Sequence, residues 1–342
     1  MRAVVCLEPG RMELQHVPVP EPAPDEVIVR VEASGVCGSD IRGFHGRHPD
    51  IQDYPIILGH EYAGTVVALG SAASGPPVGT RVAVEPLTVC GHCRGCIEGH
   101  YQLCDHLKLN GHHYEGSFCE FTRAQSVFCF PIPDAMSFRV AAFAEPVAVA
   151  VHAVKRSRAT VGDLVVVLGA GPIGNLCMQV ARAAGARVLI SDVDPPKLEV
   201  ARATGADFVV NAARESVEDA VRDLTGGTGA DIVMEAAGVS ATLRQTVHLA
   251  RKGGTIVAVG FTADETDSIR LTDVTIRELD FLGTVIYCRD YPATLDLLSS
   301  GRVITEPLVT HEYTLEALAE QAAVVASKPS GMIKPLILPQ QR

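Results

Sequence analysis

The sequence lacks a surplus of positive charge. It has 29 Lys and Arg residues against 40 Asp and Glu residues, which gives a formal net charge of −11 at pH 7. A protein that binds the nucleic-acid backbone needs a clustered positive field. The composition therefore argues against a nucleic-acid partner and favours an acidic enzyme that acts on a small molecule.

The sequence also lacks an apolar stretch that could span a membrane. The charge-free segment 164–181 is long enough, but it contains three glycines, a proline, an asparagine and a glutamine. Near the start, Glu8 interrupts the chain before an apolar signal core can form. We expect a cytoplasmic protein without a membrane partner. Its ten cysteines would then stay reduced, so grouped cysteines indicate metal binding or catalysis before disulfides.

No internal repeat is present, and 342 residues suit two domains. The first 130 or so residues contain short β-branched segments bounded by glycine or proline, which predicts a β-rich body. From about Glu145 onward, apolar strands alternate with alanine-rich helical segments, which is typical of a doubly wound parallel sheet. We therefore predict an α/β protein with a split β-rich catalytic domain (1–146 and 287–342) and a Rossmann domain (147–286).

A glycine-rich turn follows the predicted strand Leu164–Leu168. Its sequence is G-A-G-P-I-G, and a helical pattern begins within it. In such a motif the glycines permit a tight turn and close approach of a pyrophosphate, whose charge lies at the helix N-terminus. The context of strand, turn and helix predicts a dinucleotide site made by Gly169, Gly171, Pro172, Ile173 and Gly174.

An acid stands at the end of the next predicted strand. Asp192 can accept hydrogen bonds from the ribose hydroxyls of the adenosine and would repel a 2′-phosphate. The following residues, Val193 and Asp194, supply no arginine for such a phosphate. The sequence therefore predicts NAD rather than NADP.

Four cysteines are grouped in one short loop, interspersed with glycines. They are Cys90, Cys93, Cys96 and Cys104. Four thiolates form a closed tetrahedral shell for zinc, with no position left for substrate, which is the mark of a structural site. An iron–sulfur cluster also takes four thiolates, and the spacing alone leaves that alternative open.

A second set of possible ligands is dispersed along the chain. Cys37 lies in the segment G-V-C-G-S-D, His60 and Glu61 follow Gly59, and Glu145 precedes Pro146. Together they could hold one zinc ion and leave a position open. Each residue also has an ordinary structural role available, such as a buried thiol or a helix-start acid, so spacing alone leaves the joint site undecided.

These motifs, in this order, resemble the zinc-containing medium-chain dehydrogenases over essentially the whole chain. The branch that the sequence resembles most is that of the polyol (sorbitol-like) and 2,3-butanediol dehydrogenases. The resemblance implies a GroES-like β body with a Rossmann domain, two zinc ions per chain, NAD, and hydride transfer from a secondary alcohol to give a ketone. It also implies association into a homodimer or homotetramer, with strands around 279–285 pairing between subunits.

The resemblance also implies roles for individual residues. Cys37, His60, Glu61 and Glu145 correspond to the ligands of the catalytic zinc, either directly or through water, and the four-cysteine loop to the structural zinc. Asp40 would orient His60, and Ser39 would pass the proton of the substrate outward. Two aromatic residues, Phe118 and Tyr287, would line the substrate pocket. Lys334 would reach the cofactor pyrophosphate.

Three positions depart from this family pattern. Arg42 stands where relatives often have a proton-relaying histidine, and Ile286 and Glu312 stand where sorbitol-type relatives have arginines for sugar hydroxyls. These departures favour a short diol or another secondary alcohol over a long polyol. Alternatives are oxidation of a β-hydroxy amino acid, as in L-threonine 3-dehydrogenases, and a non-catalytic sensor. A zinc-free reductase would lack both cysteine sets. The segment His112-His113 is interpreted as ordinary loop structure rather than as a metal site.

Overall fold

The computed structural model describes residues 1–261 and 269–341. Its strands are β1 (Arg2–Glu8), β2 (Arg11–His16), β3 (Glu26–Gly35), β4 (Ile56–Ile57), β5 (Glu61–Leu69), β6 (Arg81–Val84), β7 (Leu87–Thr88), β8 (Lys108–Leu109), β9 (Phe121–Gln125), β10 (Cys129–Pro131), β11 (Leu164–Leu168), β12 (Arg187–Asp192), β13 (Phe208–Asn211), β14 (Ala230–Glu235), β15 (Ala250–Ala258), β16 (Asp280–Gly283), β17 (Val309–Tyr313) and β18 (Lys334–Ile337).

The helices are α1 (Gly38–Phe44), α2 (Arg94–Ile97), α3 (Phe138–Ala141), α4 (Ala144–Ser157), α5 (Pro172–Ala183), α6 (Pro195–Ala203), α7 (Val217–Thr225), α8 (Ser240–Leu249), α9 (Leu271–Ile276), α10 (Tyr291–Ser299) and α11 (Leu315–Ser327). None of the helices within the described residues is long and apolar enough to cross a membrane.

The described residues form two compact units. The first unit contains residues 1–145, 291–299 and 309–341, and the second contains residues 146–261, 269–290 and 300–308. The chain therefore leaves the first unit for one long segment (146–290) and one short segment (300–308), as a split domain with an insertion does.

The first unit is built on β sheets. Its largest sheet has the order β10-β6-β5-β3-β18-β17, with β9 also paired to β3. The pairs in this sheet are antiparallel except for β17 and β18, which run parallel. Smaller sheets are β2-β1-β4 and β7-β8. The late strands β17 and β18 thus complete a sheet that the first 130 residues begin.

The second unit is a six-stranded parallel sheet in the order β13-β12-β11-β14-β15-β16. The residues Val165–Leu168 of the central strand β11 are 0% exposed, as expected for a parallel strand covered on both faces. From β11 the chain adds β12 and β13 on one side of the sheet and then β14, β15 and β16 on the other side. In open sheets of this kind, ligands bind beyond the carboxyl ends of the strands at such a switch point.

The predicted fold class is confirmed. The prediction of β11 from Leu164 to Leu168 matches the structure residue for residue. Pro307 and Leu308 belong to a short 3-10 helix, and β17 starts after them at Val309. Proline cannot donate a hydrogen bond to a sheet neighbour, which favours this later start.

Candidate active site

The register between β3 and β5 brings Glu61 to the end of the first unit's large sheet. Gly35 pairs with Glu61, and a Cβ atom on Gly35 would lie only 2.1 Å from Oε2 of Glu61. The position therefore requires glycine, because a larger residue would displace the carboxylate. Glu61 itself is 1% exposed.

Asp40 connects the two segments that carry Cys37 and His60. Its Oδ2 accepts a hydrogen bond of 2.8 Å from the backbone N–H of Cys37, at the start of α1. Its Oδ1 accepts another of 3.0 Å from the N–H of Gly59 and lies 3.4 Å from Nδ1 of His60. Although burial acts to raise the pKa of Asp40, the neighbouring His60 outweighs it, and the pKa falls below its ordinary value. One buried carboxylate thus joins the backbone of the two segments.

Three of the sequence-predicted ligands come together in the structure. The ligand atoms of Cys37, His60 and Glu61 all lie within 4.8 Å of one another. A thiolate, an imidazole and a carboxylate are a suitable donor set for zinc, and three protein ligands leave a position open for another oxygen. The residues present therefore fit a catalytic zinc ion. Glu145, at the start of α4, is 6% exposed and lies close enough to Lys334 to raise the pKa of that lysine.

Lys334 is a site residue that sequence reasoning misplaced. We expected it at the cofactor pyrophosphate, but its Nζ lies 2.7 and 2.6 Å from the two carboxylate oxygens of Glu61 and 3.1 Å from the backbone carbonyl oxygen of Val36. Burial acts to lower the pKa of Lys334, yet the charges of Glu61 and Cys37 outweigh it and raise the pKa. No local pattern signals this pair, since its members are 273 residues apart.

Ser39 lies in the first turn of α1, between Cys37 and Asp40. The residue is 7% exposed, and its Oγ has no hydrogen-bond partner among the described residues. A buried hydroxyl without a partner is costly unless a ligand or water satisfies it. The arrangement therefore suits a hydroxyl that bonds to a bound substrate.

The four-cysteine loop folds its thiols into one cluster. The sulfur atoms of Cys90, Cys93, Cys96 and Cys104 all lie within 4.8 Å of one another, and no disulfide joins any of the chain's ten cysteines. Backbone N–H groups of Cys90 and His106 point at the sulfur of Cys104, both at 3.4 Å. Four sulfur atoms directed at one point fit a structural zinc ion.

The pKa values of two thiols in this loop are shifted in opposite directions. Backbone N–H groups of Cys96 and Asp105 lower the pKa of the Cys93 thiol to about 6. Burial and the adjacent Cys93 raise the pKa of the Cys96 thiol to about 12. A cation between the four sulfur atoms would favour their thiolate form, because metal binding releases the thiol protons.

Replacing Cys104 with serine is expected to remove the structural zinc. The zinc content should fall from two ions to one per chain and the midpoint of thermal unfolding should fall, because metal binding at such a site contributes to folding. Elemental analysis and circular dichroism measure the two effects. Cys288→Ser, outside both clusters, is the control and should keep both ions. A Cys104→Ser protein that retains two zinc ions would disprove the assignment.

The glycine-rich turn of the second unit has the geometry that the motif predicts. Gly169 has φ = +102°, and a Cβ atom there would lie 2.8 Å from the backbone nitrogen of Ala237. A Cβ on Gly174 would lie 1.9 Å from the carbonyl oxygen of Gly169, so α5 could not approach the strand. Gly171 caps α5 and has open space where its Cβ would be, and Pro172 and Ile173 follow as the first helical residues. A pyrophosphate can therefore approach the backbone, and the turn fits a dinucleotide.

Asp192 ends β12 beside this turn. Its Oδ2 accepts a 2.8 Å hydrogen bond from the N–H of Ala170, and its Oδ1 accepts one of 3.0 Å from the N–H of Asp194. These bonds hold the carboxylate at the switch point of the sheet, where a ribose would lie.

The two predicted pocket aromatics are both buried. Phe118 is 1% exposed and lies in a core cluster with Ile57 and Leu58. Its ring also lies against Gly59, where a Cβ atom would approach within 2.6 Å. Tyr287, in the second unit, is 0% exposed. Phe118 therefore supports the backbone before His60, and the substrate-pocket role of both aromatics stays a prediction.

His112 differs from the loop residue that the sequence suggested. It is 8% exposed, and its ring centroid lies 5.0 Å from that of His60 and 4.5 Å from that of His48. Burial lowers the pKa of His112 to about 2. The short loop Asn110–Tyr114 turns the ring inward, which no spacing rule foresees.

Comparison with known proteins gives the family. Residues 23–134 match the alcohol dehydrogenase GroES-like domain, and residues 172–300 match the zinc-binding dehydrogenase domain. The chain is 32% identical over 345 residues to a sorbitol dehydrogenase of Bacillus subtilis, covering 100% of this chain and 98% of that one. It belongs to the zinc-containing medium-chain dehydrogenases, in the polyol dehydrogenase branch.

Solved structures agree with this membership. An oxidoreductase of unknown specificity from Escherichia coli superposes with a TM-score of 0.94 at 33% identity, covering 99% of both chains. The 2R,3R-butanediol dehydrogenase of Bacillus subtilis superposes with a TM-score of 0.91 at 29% identity, again over 99% of both chains. This medium-chain dehydrogenase is therefore a zinc- and NAD-dependent enzyme that oxidises a secondary alcohol. The match to zinc-binding dehydrogenases favours structural zinc over an iron–sulfur cluster at the four-cysteine loop.

Proposed function

We propose that this medium-chain dehydrogenase oxidises a short diol or a related polyol to a ketone with NAD. The observation that carries the proposal is the group Cys37, His60 and Glu61, whose ligand atoms lie within 4.8 Å of one another. The hydroxyl of Ser39, two residues after Cys37, is buried. Glu145 is not part of that group of atoms, but its charge acts on Lys334, and the proposal assigns it as a further ligand, directly or through water. In this proposal residues 1–146 and 287–342 form the catalytic domain, and 147–286 bind NAD.

The residues have distinct roles. Zinc held by Cys37, His60 and the carboxylates would lower the pKa of an alcohol oxygen placed against it. Ser39 accepts the proton of the substrate hydroxyl and donates its own outward. Asp40 holds Cys37 and His60 in place, and Lys334 balances the charge of Glu61. The turn from Gly169 to Gly174 and Asp192 would hold NAD, which would supply the hydride acceptor.

The substrate preference rests on the departures from the sorbitol pattern. Glu312 stands where an arginine would bind sugar hydroxyls, and its carboxylate accepts hydrogen bonds of 2.5 and 3.0 Å from Arg139. Ile286 likewise offers no donor. A substrate with few hydroxyls suits these positions better than a hexitol, because each unpaired hydroxyl buried on binding costs free energy.

A substrate panel tests the proposal. Short vicinal diols, pentitols, hexitols, sugar acids and L-threonine are offered with NAD while the absorbance of the reduced cofactor is followed. We expect the highest kcat/KM among the short diols. A value for L-threonine above that of every diol and polyol would contradict the proposal and favour a β-hydroxy amino acid.

Asp192→Asn is expected to weaken the preference for NAD. Asparagine still offers an oxygen to the N–H of Ala170 but removes the charge that would repel a 2′-phosphate. The ratio of kcat/KM for NAD to that for NADP should fall at least about tenfold, or about 1.4 kcal/mol. Asp194→Asn, two residues away, should leave the ratio nearly unchanged. Equal ratios for wild type and Asp192→Asn would show that this carboxylate does not select the cofactor.

We also propose a homodimer, alone or as half of a homotetramer. The edge strand β16 pairs on one side only among the described strands. Near it, Ile276, Phe281 and Val285 are 72%, 41% and 37% exposed. An open edge with exposed apolar side chains suits pairing with a second copy. Sedimentation of wild type and Phe281→Asp checks this, since the variant should dissociate.

We also propose a cytoplasmic location, which the free cysteines support.

A further inference from the structure

Three side chains next to the proposed active site form a second possible metal site. We propose that His48, Asp50 and His112, here called the outer triad, bind a divalent transition-metal ion in addition to the two zinc ions. A ring nitrogen of each histidine and a carboxylate oxygen of Asp50 all lie within 4.8 Å of one another. This ion would be a third one per chain, at a position with no cysteine ligand.

The geometry needs little adjustment to bind an ion. If all three separations had the limiting value of 4.8 Å, a central point would lie about 2.8 Å from each atom, so each would move less than about 1 Å to reach ordinary zinc–ligand distances. The two rings already lie 4.5 Å apart between centroids. The loops that carry them can therefore close on one ion without a change of fold.

His112 supplies an independent indication that something binds here. The residue is 8% exposed, and its Nε2 has no hydrogen-bond partner among the described residues. A buried polar atom is usually satisfied by protein, water or a ligand. An ion bound at this nitrogen would satisfy it.

Asp40, one inner neighbour of His112, is already engaged. His112 also lies within 4.8 Å of Asp40 and His60, but Asp40 accepts bonds from Cys37 and Gly59 and lies beside His60. The outer side differs, because Asp50 is exposed and provides an entry path for an ion. The N–H of Asp50 donates to Nδ1 of His48 over 3.2 Å, and an ion bound to that nitrogen would replace this long bond.

The donor set selects the class of ion. Two imidazoles and one carboxylate suit Zn²⁺, Co²⁺ or Ni²⁺, whereas Mg²⁺ and Ca²⁺ prefer oxygen ligands alone. Because the outer triad contains no thiolate, Co²⁺ bound there would lack the sulfur-to-metal charge-transfer absorption that the cysteine-containing sites produce. This spectroscopic difference distinguishes Co²⁺ bound as a third ion from Co²⁺ that has replaced zinc at either of the other two sites.

Metal titration of the holoenzyme tests the proposal. The protein with its two zinc ions is dialysed against Co²⁺, and bound metal is counted by elemental analysis. We expect one additional ion per chain with visible absorption but no new sulfur charge-transfer band. His48→Ala and His112→Ala should lower the affinity for this ion at least about tenfold. Loss of a residue that only hydrogen-bonds to a ligand already costs about that much, and these two residues would be ligands themselves. Asp50→Ala should also weaken it.

Matched controls make the result decisive. His45→Ala changes an exposed histidine three residues from His48 that is not part of the outer triad, and it should still bind the third ion. Retention of two zinc ions in every variant shows that the fold and the other sites are intact. The proposal is wrong if wild type takes up no third ion, or if His48→Ala and His112→Ala both bind it as tightly as wild type does.

Discussion

Replacing Lys334 with methionine is expected to lower the free energy of unfolding by about 3–5 kcal/mol. Lys334 and Glu61 are 2% and 1% exposed, and the ammonium lies 2.6 and 2.7 Å from the two carboxylate oxygens. Methionine preserves an unbranched stem but removes the ammonium, so in protein freed of the catalytic zinc the carboxylate of Glu61 lies buried without a counter-charge. Circular dichroism in increasing denaturant measures the loss, since the sequence contains no tryptophan to serve as a fluorescent probe.

A double substitution separates the ion pair from packing. Glu61→Gln combined with Lys334→Met removes both charges, so it should be less destabilised than Lys334→Met alone. Arg94→Ala breaks an exposed pair, with side chains 87% and 50% exposed, and should leave stability unchanged. A Lys334→Met protein as stable as wild type would contradict the buried pair.

Cys37→Ala is expected to have the largest effect on catalysis. Loss of this thiolate removes one of the grouped ligands, so the zinc content should fall to one ion per chain. The turnover number should fall at least about a thousandfold, because a Lewis acid supplies several kcal/mol of stabilisation in the transition state. Elemental analysis and initial rates with NAD and the best alcohol of the panel measure these two effects.

The control for Cys37→Ala is a cysteine outside both clusters. Cys288→Ser should keep two zinc ions and wild-type turnover. The unfolding midpoint of Cys37→Ala should be higher than that of Cys104→Ser, because Cys90 and its three partners are unchanged and the structural site is intact. Full turnover by a Cys37→Ala protein that has lost an ion would mean that the reaction does not need this site.

The chemistry could be predicted from the sequence wherever it depends on local spacing. The glycines around Gly171 allow a tight turn, the approach of a pyrophosphate to the backbone, and close packing of the helix on the strand. All three requirements fall on residues that are close together in the sequence. The same is true of the loop from Cys90 to Cys104, where four thiols must converge on one point. Such motifs can be recognised in the sequence because the residues that form each site are close together along the chain.

Long-range pairings could not be predicted in this way. Lys334 reaches Glu61 only because β18 joins β3 at the register Leu336–Gly35, opposite the pairing of Gly35 with Glu61. A shift of one residue in either register would turn the side chains to the other face. The sequence offers hydrophobic patterns for these strands but no information about which strand each will pair with.

Loop conformation accounts for the burial of His112, which the sequence does not indicate. The rings of His48 and His112 meet although the residues come from separate loops, and neither loop has a periodic pattern. The sequence suggested an ordinary loop at His112, whereas the structure buries the ring beside His60. Loops position functional side chains through turns that only the folded chain defines.

The measurement that tests the central claim most directly is zinc-dependent reduction of NAD by a secondary alcohol. The purified enzyme is assayed with NAD and a short vicinal diol, first as isolated, then after chelation, and then after zinc is restored. We predict formation of the ketone and reduced cofactor, loss of turnover on chelation, and recovery with zinc. Undiminished oxidation by protein shown to contain no zinc would contradict the account.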